Sequence, residues 1–229
     1  ESILIVESSI WVGTSVGLLK LSRINDKLKL ELEEDFGLVK QLIHLEGSHI
    51  LVVSGKHGLI NYSESNWRVI HLPLPTADLI TCVKKTLDNH YLVGTLGGLY
   101  VLNNHFEKVD HFYLNDDTKK ITAITVVGDE WWLAFGHKLV VVSPGNTGIK
   151  ILEITNIRSI INKLFIDQTG NIWIATNNAG LKKITCLRKA FKQLDCGINN
   201  AAFSIKENHA NGKLIIGGDS FCSILSKDY

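Results

Sequence analysis

Apolar and polar positions alternate with a period of two in short runs, and the runs return at even intervals along the chain. The clearest is Ile172-Trp173-Ile174-Ala175, which follows the polar turn 167–171 and ends at Thr176. A short polar loop then leads into Gly180-Leu181. Alternation bounded by Gly, Asn and Asp clusters predicts a half-buried β-hairpin. The same grammar returns as Ile10-Trp11-Val12-Gly13-Thr14 before Gly17-Leu18, and as Tyr91-Leu92-Val93-Gly94-Thr95 before Gly98-Leu99. No segment carries the 3.6-residue period of an amphipathic helix.

Aligned on the small or short residue that closes each apolar run, the copies fall at Gly13, Val53, Gly94, Ala134, Ala175 and Gly217, with gaps of 40, 41, 40, 41 and 42 residues. A period of about 40 residues with four short strands per unit is that of a β-propeller blade. The fold class predicted is therefore all-β, a propeller of four-stranded antiparallel blades. Six blades are expected in one domain spanning 1–229, at about 1–35, 36–77, 78–117, 118–157, 158–198 and 199–229. Where blades converge, a Gly or Ala lets neighbouring sheets approach. The adjacent Trp11, Trp132 and Trp173 are then read as core between blades.

Within each unit the strands are placed in order. Blade one has Ile3–Val6, Ile10–Gly13, Leu18–Leu21 and Leu28–Leu32, then a crossing at Glu33–Gly37. Blade two has Val39–Leu45, Ile50–Val53, Leu59–Tyr62 and Trp67–Leu72, stopped by Pro73-Leu74-Pro75, because proline cannot donate to a ladder. Blade three has Leu79–Lys84, Tyr91–Gly94, Leu99–Leu102 and Phe106–Phe112, followed by turn residues Asn115–Thr118. Blade four has Ile121–Val127, Trp131–Ala134, Leu139–Val142 and Ile149–Leu152. Blade five has Lys163–Ile166, Ile172–Ala175, Leu181–Ile184 and Phe191–Leu194. Blade six has Phe203–Lys206, Leu214–Gly217 and Ser223–Leu225, with no fourth strand. An uncovered edge is an aggregation liability, so the expectation is part of a larger ring, seven-bladed rather than six.

Charge changes this picture little. The 24 Lys and Arg nearly balance 23 Asp and Glu, so no strong field favours nucleic acid or an acidic partner. No apolar run has the roughly 18–20 residues of a membrane span. The chain begins at Glu1, without an initiator Met or a leader, as expected of a mature or excised piece, and it contains no Met. Cys82, Cys186, Cys196 and Cys222 form no CxxC pair, which argues against zinc or a redox site. They are read as free, mostly buried thiols. Cys186 and Cys196 bracket one strand and stand too far apart to bond.

The stretch Asp167-Gln168-Thr169-Gly170-Asn171-Ile172-Trp173-Ile174-Ala175-Thr176, followed by Gly180-Leu181, resembles the two-component regulator propeller repeat, D-x-x-G-x-[IL]-W-[IV]-[GA]-T then G-[LI]. Blades one and three match the strand, the Gly-Thr and the Gly-Leu but lack the leading D-x-x-G. Asp35-Phe36-Gly37-Leu38 is similar to that family's inter-blade connection. The resemblance implies an extracytoplasmic ligand-sensing propeller of a bacterial two-component-type signalling protein. It implies a periplasmic or extracellular location as part of a larger membrane protein, a carbohydrate or other small ligand at the loop face, and homodimerisation through the full-length protein. It carries over no catalytic residue. The domain itself is expected to touch neither nucleic acid nor membrane.

Propellers bind ligands at loops held on the rigid sheets. The loops between second and third strands are expected at 14–16, 55–57, 96–97, 136–138, 177–179 and 219–220, joined by inter-blade residues Glu34, Asp35, Asp78, Asp116, Asp117, Arg158 and Asn199. Lys56, His57, His137, Lys138, Asn177, Asn178 and Arg158 are the candidate ligand-binding residues. The nine His are scattered, with no HxH or HExxH spacing, and there is no G-x-S-x-G elbow. His44 could point into a channel. No cofactor, metal or catalytic residue is expected. A protein–protein interaction scaffold is the alternative, and a hydrolase or lyase built from distant carboxylates a third.

Overall fold

The computed structural model describes residues 2–7, 9–24, 27–47, 49–63, 66–72, 79–113, 120–145, 148–185, 190–193, 201–208, 213–218 and 221–225. Its described secondary structure is entirely β. Blade one is β1 (Ser2–Val6), β2 (Ser9–Gly13), β3 (Leu18–Ile24) and β4 (Lys27–Glu34). Blade two is β5 (Val39–His44), β6 (Ile50–Ser54), β7 (Gly58–Ser63) and β8 (Asn66–Ile70). Blade three is β9 (Ile80–Lys85), β10 (Tyr91–Thr95), β11 (Leu99–Leu102) and β12 (Lys108–Phe112). Blade four is β13 (Ile121–Val127), β14 (Glu130–Phe135), β15 (Lys138–Gly145) and β16 (Gly148–Asn156). Blade five is β17 (Ile161–Ile166), β18 (Ile172–Thr176), β19 (Leu181–Thr185) and β20 (Ala190–Gln193). Blade six shows β21 (Ala202–Asn208), β22 (Lys213–Gly218) and β23 (Phe221–Leu225). Each sheet is an antiparallel meander in chain order.

Two compact units form. One comprises Glu1–Leu96 and Tyr100–His111, the other Gly97–Leu99 and Phe112–Tyr229. Within the first, β1, β5 and β9 pack in succession; within the second, β13, β17 and β21 do the same. Blades one and two close over Trp11, Leu18, Val39, Ile50, Val52 and Tyr62. Blades two and three close over Leu51, Val53, Leu59, Ile80, Tyr91 and Val93. Trp132 fills the space between blades four and five, and Trp173 that between five and six, as the repeat requires. Burying such a ring contributes about 2–3 kcal/mol. The small residue beside it is needed for clearance: a Cβ on Gly13 would stand 2.5 Å from Val39 Cγ1.

The repeat motif has a structural meaning in every part. The Asp167 carboxylate accepts from the Thr169 and Asn171 amides at 3.0 and 2.9 Å and from Trp173 Nε1 at 2.8 Å, so it both closes the turn and aims the indole. Gly170 takes φ +79° there. The Thr176 hydroxyl donates to the Gly180 carbonyl at 2.7 Å and accepts from the Ala179 amide at 3.1 Å, pinning the next loop. Thr14 does the same with Gly17.

Several expectations are corrected in detail. The crossing from blade one starts at Asp35, because Glu33 and Glu34 still pair with Leu19 and Leu18. The strand expected from Phe106 starts at Lys108, because Phe106 is held in a turn at φ +63°. A residue is bulged out of the first strand in blades two to six, at Lys40, Thr81, Thr122, Asn162 and Phe203. The thiols expected to be mostly buried are half-buried at Cys82 and exposed at Cys222, since Cys222 lies on the open face of β23. Cys186, Cys196, Leu194, the Pro73–Pro75 stop and the Asn115–Thr118 turn lie outside the described residues.

Candidate functional site

In an antiparallel meander the turns between second and third strands and the inter-blade crossings share one end of the sheets. Backbone bonds weld them here. The Val39 amide donates to the Thr14 carbonyl at 2.9 Å and the Gly55 amide to the Leu38 carbonyl at 2.7 Å. In the second unit Ile161 donates to Gly136 at 2.8 Å and Asn177 to Ile160 at 2.9 Å. The loop face is thus a rigid surface in each unit.

Lys56 and His57 occupy the β6–β7 turn, whose amides both donate to the buried Ser54 hydroxyl, at 3.0 and 2.9 Å. That hydroxyl donates to the Phe36 carbonyl at 2.6 Å, tying the turn to the crossing from blade one. A cleft of about 260 Å³ opens beside them between blades two and three. Among the described residues its basic side chains are Lys40, Lys56, His57 and His71, its apolar wall is Ile70, Leu72 and Ile80, and no carboxylate lines it. Lys40 Nζ donates to the Ile80 carbonyl at 2.6 Å. Lys56 Nζ meets Asp35 at 2.9 Å on the surface, where both are well exposed. That hydrogen bond holds the Asp35 carboxyl below its ordinary range, helped by the Gly37 amide. The His57 ring packs 6.3 Å from Phe36 and 6.0 Å from Trp67, which is 44% exposed.

The remaining candidates lie in the second unit. The His137 carbonyl accepts from the Ile157 amide at 2.7 Å, next to Arg158, and the Asn178 amide donates to the Ser159 hydroxyl at 2.9 Å. His137, Arg158, Asn177 and Asn178 therefore belong to one loop cluster, with His137, Arg158 and Asn178 exposed. Lys138 is the first residue of β15, paired with Phe135 and Asn156. His44 Nε2 donates to the Gly47 carbonyl, 2.8 Å away in its own turn, and the residue is exposed. Lys40 and His71, which line the cleft, and Trp67, whose ring packs on His57, were not among the candidates: a bulge turns Lys40 toward blade three, and the other two follow from the packing of the fourth strand of blade two. Asp78, Asp116, Asp117, Asn199, Asp219 and Ser220 lie outside the described residues. Among the described residues no group of three or more His, Cys, Asp or Glu is placed to hold a metal ion.

Stacked antiparallel meanders with first strands side by side define a β-propeller, and comparison with solved structures agrees over the whole chain. The extracellular domain of the hybrid two-component system BT4673 of B. thetaiotaomicron superposes with a TM-score of 0.78 at 20% identity, over 97% of this chain. That of the hybrid two-component system BT3049 of the same organism gives 0.80 at 15% identity, again over 97%. This chain spans 32% of each of those chains. The WD40 propeller domain of Doa1 gives 0.78 at 14% identity, covering 100% of this chain and 78% of that one. No family model and no curated protein matches the sequence. The chain is an all-β propeller with six blades, similar in fold to extracellular domains of two-component systems and to WD40 propellers.

Proposed function

We propose that this chain is the extracytoplasmic ligand-sensing propeller of a bacterial two-component-type signalling protein, non-catalytic, and that it takes a carbohydrate or other small polar ligand at its loop face. The observation that carries this reading is the cleft between blades two and three, where Lys56 and His57 stand on a braced turn beside an exposed aromatic ring. A concave, preformed site with a few convergent polar groups is the usual form of a small-molecule site. The D-x-x-G motif of blade five and the fold likeness to extracellular domains support the signalling context. In that context the propeller sits on the periplasmic or outer side of a bacterial inner membrane, and the full-length protein acts as a homodimer. A thermal-shift screen with small uronate-containing oligosaccharides, repeated on Lys56→Ala/His57→Ala, tests the assignment: the double variant keeps the unliganded melting temperature and loses the shift.

A second reading, a scaffold for protein partners, is favoured by one feature. Blade one exposes Ile3, Ile5, Leu28 and Leu30 at 50–65% on a single sheet. Contiguous apolar surface of that kind marks protein interfaces. Crosslinking of the purified chain separates this reading from the first.

A further inference from the structure

The opposite end of blades two and three carries a second cleft, of about 330 Å³, that the loop-face assignment does not use. Turns from both blades build it. Tyr91 and Phe106 stack at its base with ring centroids 4.7 Å apart and planes 26° from parallel. Lys85 Nζ lies 5.9 Å from the Tyr91 ring. Asn61, Asn89, Asn104 and Glu46 supply the polar wall.

Phe106 is placed there against its own backbone preference. It sits at φ +63°, in the left-handed region that bulky side chains rarely adopt. Such a residue persists only where its surroundings over-determine it. Here the Asn103 side chain over-determines it, accepting from the His105 and Glu107 amides at 2.9 Å each and donating to the Glu107 carboxylate at 2.8 Å. Asn89 is likewise left-handed, at φ +61°, in a turn closed by the Thr86 and His90 bonds. Two of the three non-glycine residues with positive φ among the described residues thus line this one cleft. Both turns are fixed before any ligand arrives, which lowers the ordering cost of binding.

The chemistry of the wall selects the ligand. Among the described residues, the side-chain amides of Asn89 and Asn104 have no hydrogen-bond partner. Each offers a donor pair and an acceptor in one plane, which matches adjacent hydroxyls. Glu46 and Lys85 bring opposite charges, so the cleft favours neither an anion nor a cation. An aromatic face carries negative potential and attracts the C–H groups on the less polar face of a sugar ring. We propose that this cleft is a second binding site, distinct from the loop face, for the pyranose ring of a neutral saccharide.

The test is calorimetric titration of the chain with maltohexaose, cellohexaose and xylohexaose, each up to millimolar concentration. At least one is expected to bind saturably. Asn104→Ala, an exposed change that leaves the turn intact, weakens it about tenfold, and Phe106→Ala does so or more strongly. Because Phe106→Ala can loosen the turn, Asn104→Ala and Asn89→Gly stand as independent readouts, each checked by circular dichroism. Lys56→Ala/His57→Ala leaves this binding unchanged, which separates the site from the loop-face reading. Absence of binding by all three saccharides overturns the proposal, and so does binding that only the loop-face variant reduces.

Discussion

The Gln41 side chain closes the gap between two blades by binding both polar groups of Val83. Its Nε2 donates to the Val83 carbonyl at 2.7 Å and its Oε1 accepts from the Val83 amide at 3.0 Å. The amide side chain thereby extends a ladder from β5 to β9, where the two first strands are too far apart to pair directly. Gln41→Ala leaves two half-buried backbone groups unpaired and is expected to cost about 2 kcal/mol. Urea unfolding with an unchanged m-value would show it; a loss below about 0.5 kcal/mol would mean that water replaces the amide.

Gly13 and Val39 face each other across blades one and two with no room for a methyl group between them. Gly13→Ala forces its new methyl against Val39 Cγ1 and is expected to destabilise by about 1–3 kcal/mol. Val39→Ala in the same chain makes room, so the double variant loses less than the two single losses combined. A double-mutant cycle in thermal unfolding measures the coupling.

Ile3 and Leu42 hold the same place in blades one and two, opposite Val12 and Val52 respectively, yet Ile3 is 60% exposed and Leu42 is buried at 7%. Leu42→Ala is expected to cost about 2–4 kcal/mol and Ile3→Lys to stay within about 0.5 kcal/mol. The Ile3→Lys variant also raises solubility, checked by light scattering at high concentration.

Burial pushes the Asp167 carboxyl up, but bonds from Trp173, Asn171 and Thr169 outweigh it and hold the group below its ordinary range. A depressed carboxylate contributes stability that is full above its unfolded pKa and lost as pH falls through the folded one. Stability should therefore decline as pH drops from about 5 downward. Asp167→Asn, which lacks the charge, should flatten that decline. Parallel pH profiles of melting temperature would show no difference if the bonds were weak.

Much of this was legible in the chain because one physical constraint repeats. Blade packing demands a small residue at Gly13, Gly94 and Ala175 beside an aromatic, and polar turns must break the alternation, so the period appears in plain sequence. Strands such as Leu99–Leu102 and Ile121–Val127 fall where the repeat put them, but Tyr91–Thr95 and Ile172–Thr176, expected to be half-buried, are buried at every position because another strand or blade covers both faces. The bulges at Lys40 and Asn162 were hidden. A bulge shifts the pleat by one residue without changing composition, and each of these side chains reaches a carbonyl 40 residues on, at Ile80 and Ala202. The clefts were hidden for the same reason. Their walls come from turns of two blades, and a left-handed Phe106 carries no sequence signal. Lys56 and His57 were visible as loop residues, but not the His71 and Trp67 that join them.

The account rests most heavily on ligand recognition at the loop face of blades two and three. Titration of the chain with a panel of neutral and uronate-containing oligosaccharides, read by melting temperature, measures it directly. A ligand that binds the folded chain stabilises it by about 2.7 kcal/mol at a hundredfold excess over Kd. Such a rise is expected for at least one uronate-containing member, lost in Lys56→Ala/His57→Ala and retained in Asn104→Ala. No rise with any uronate-containing member, or such a rise indifferent to Lys56 and His57, would contradict it.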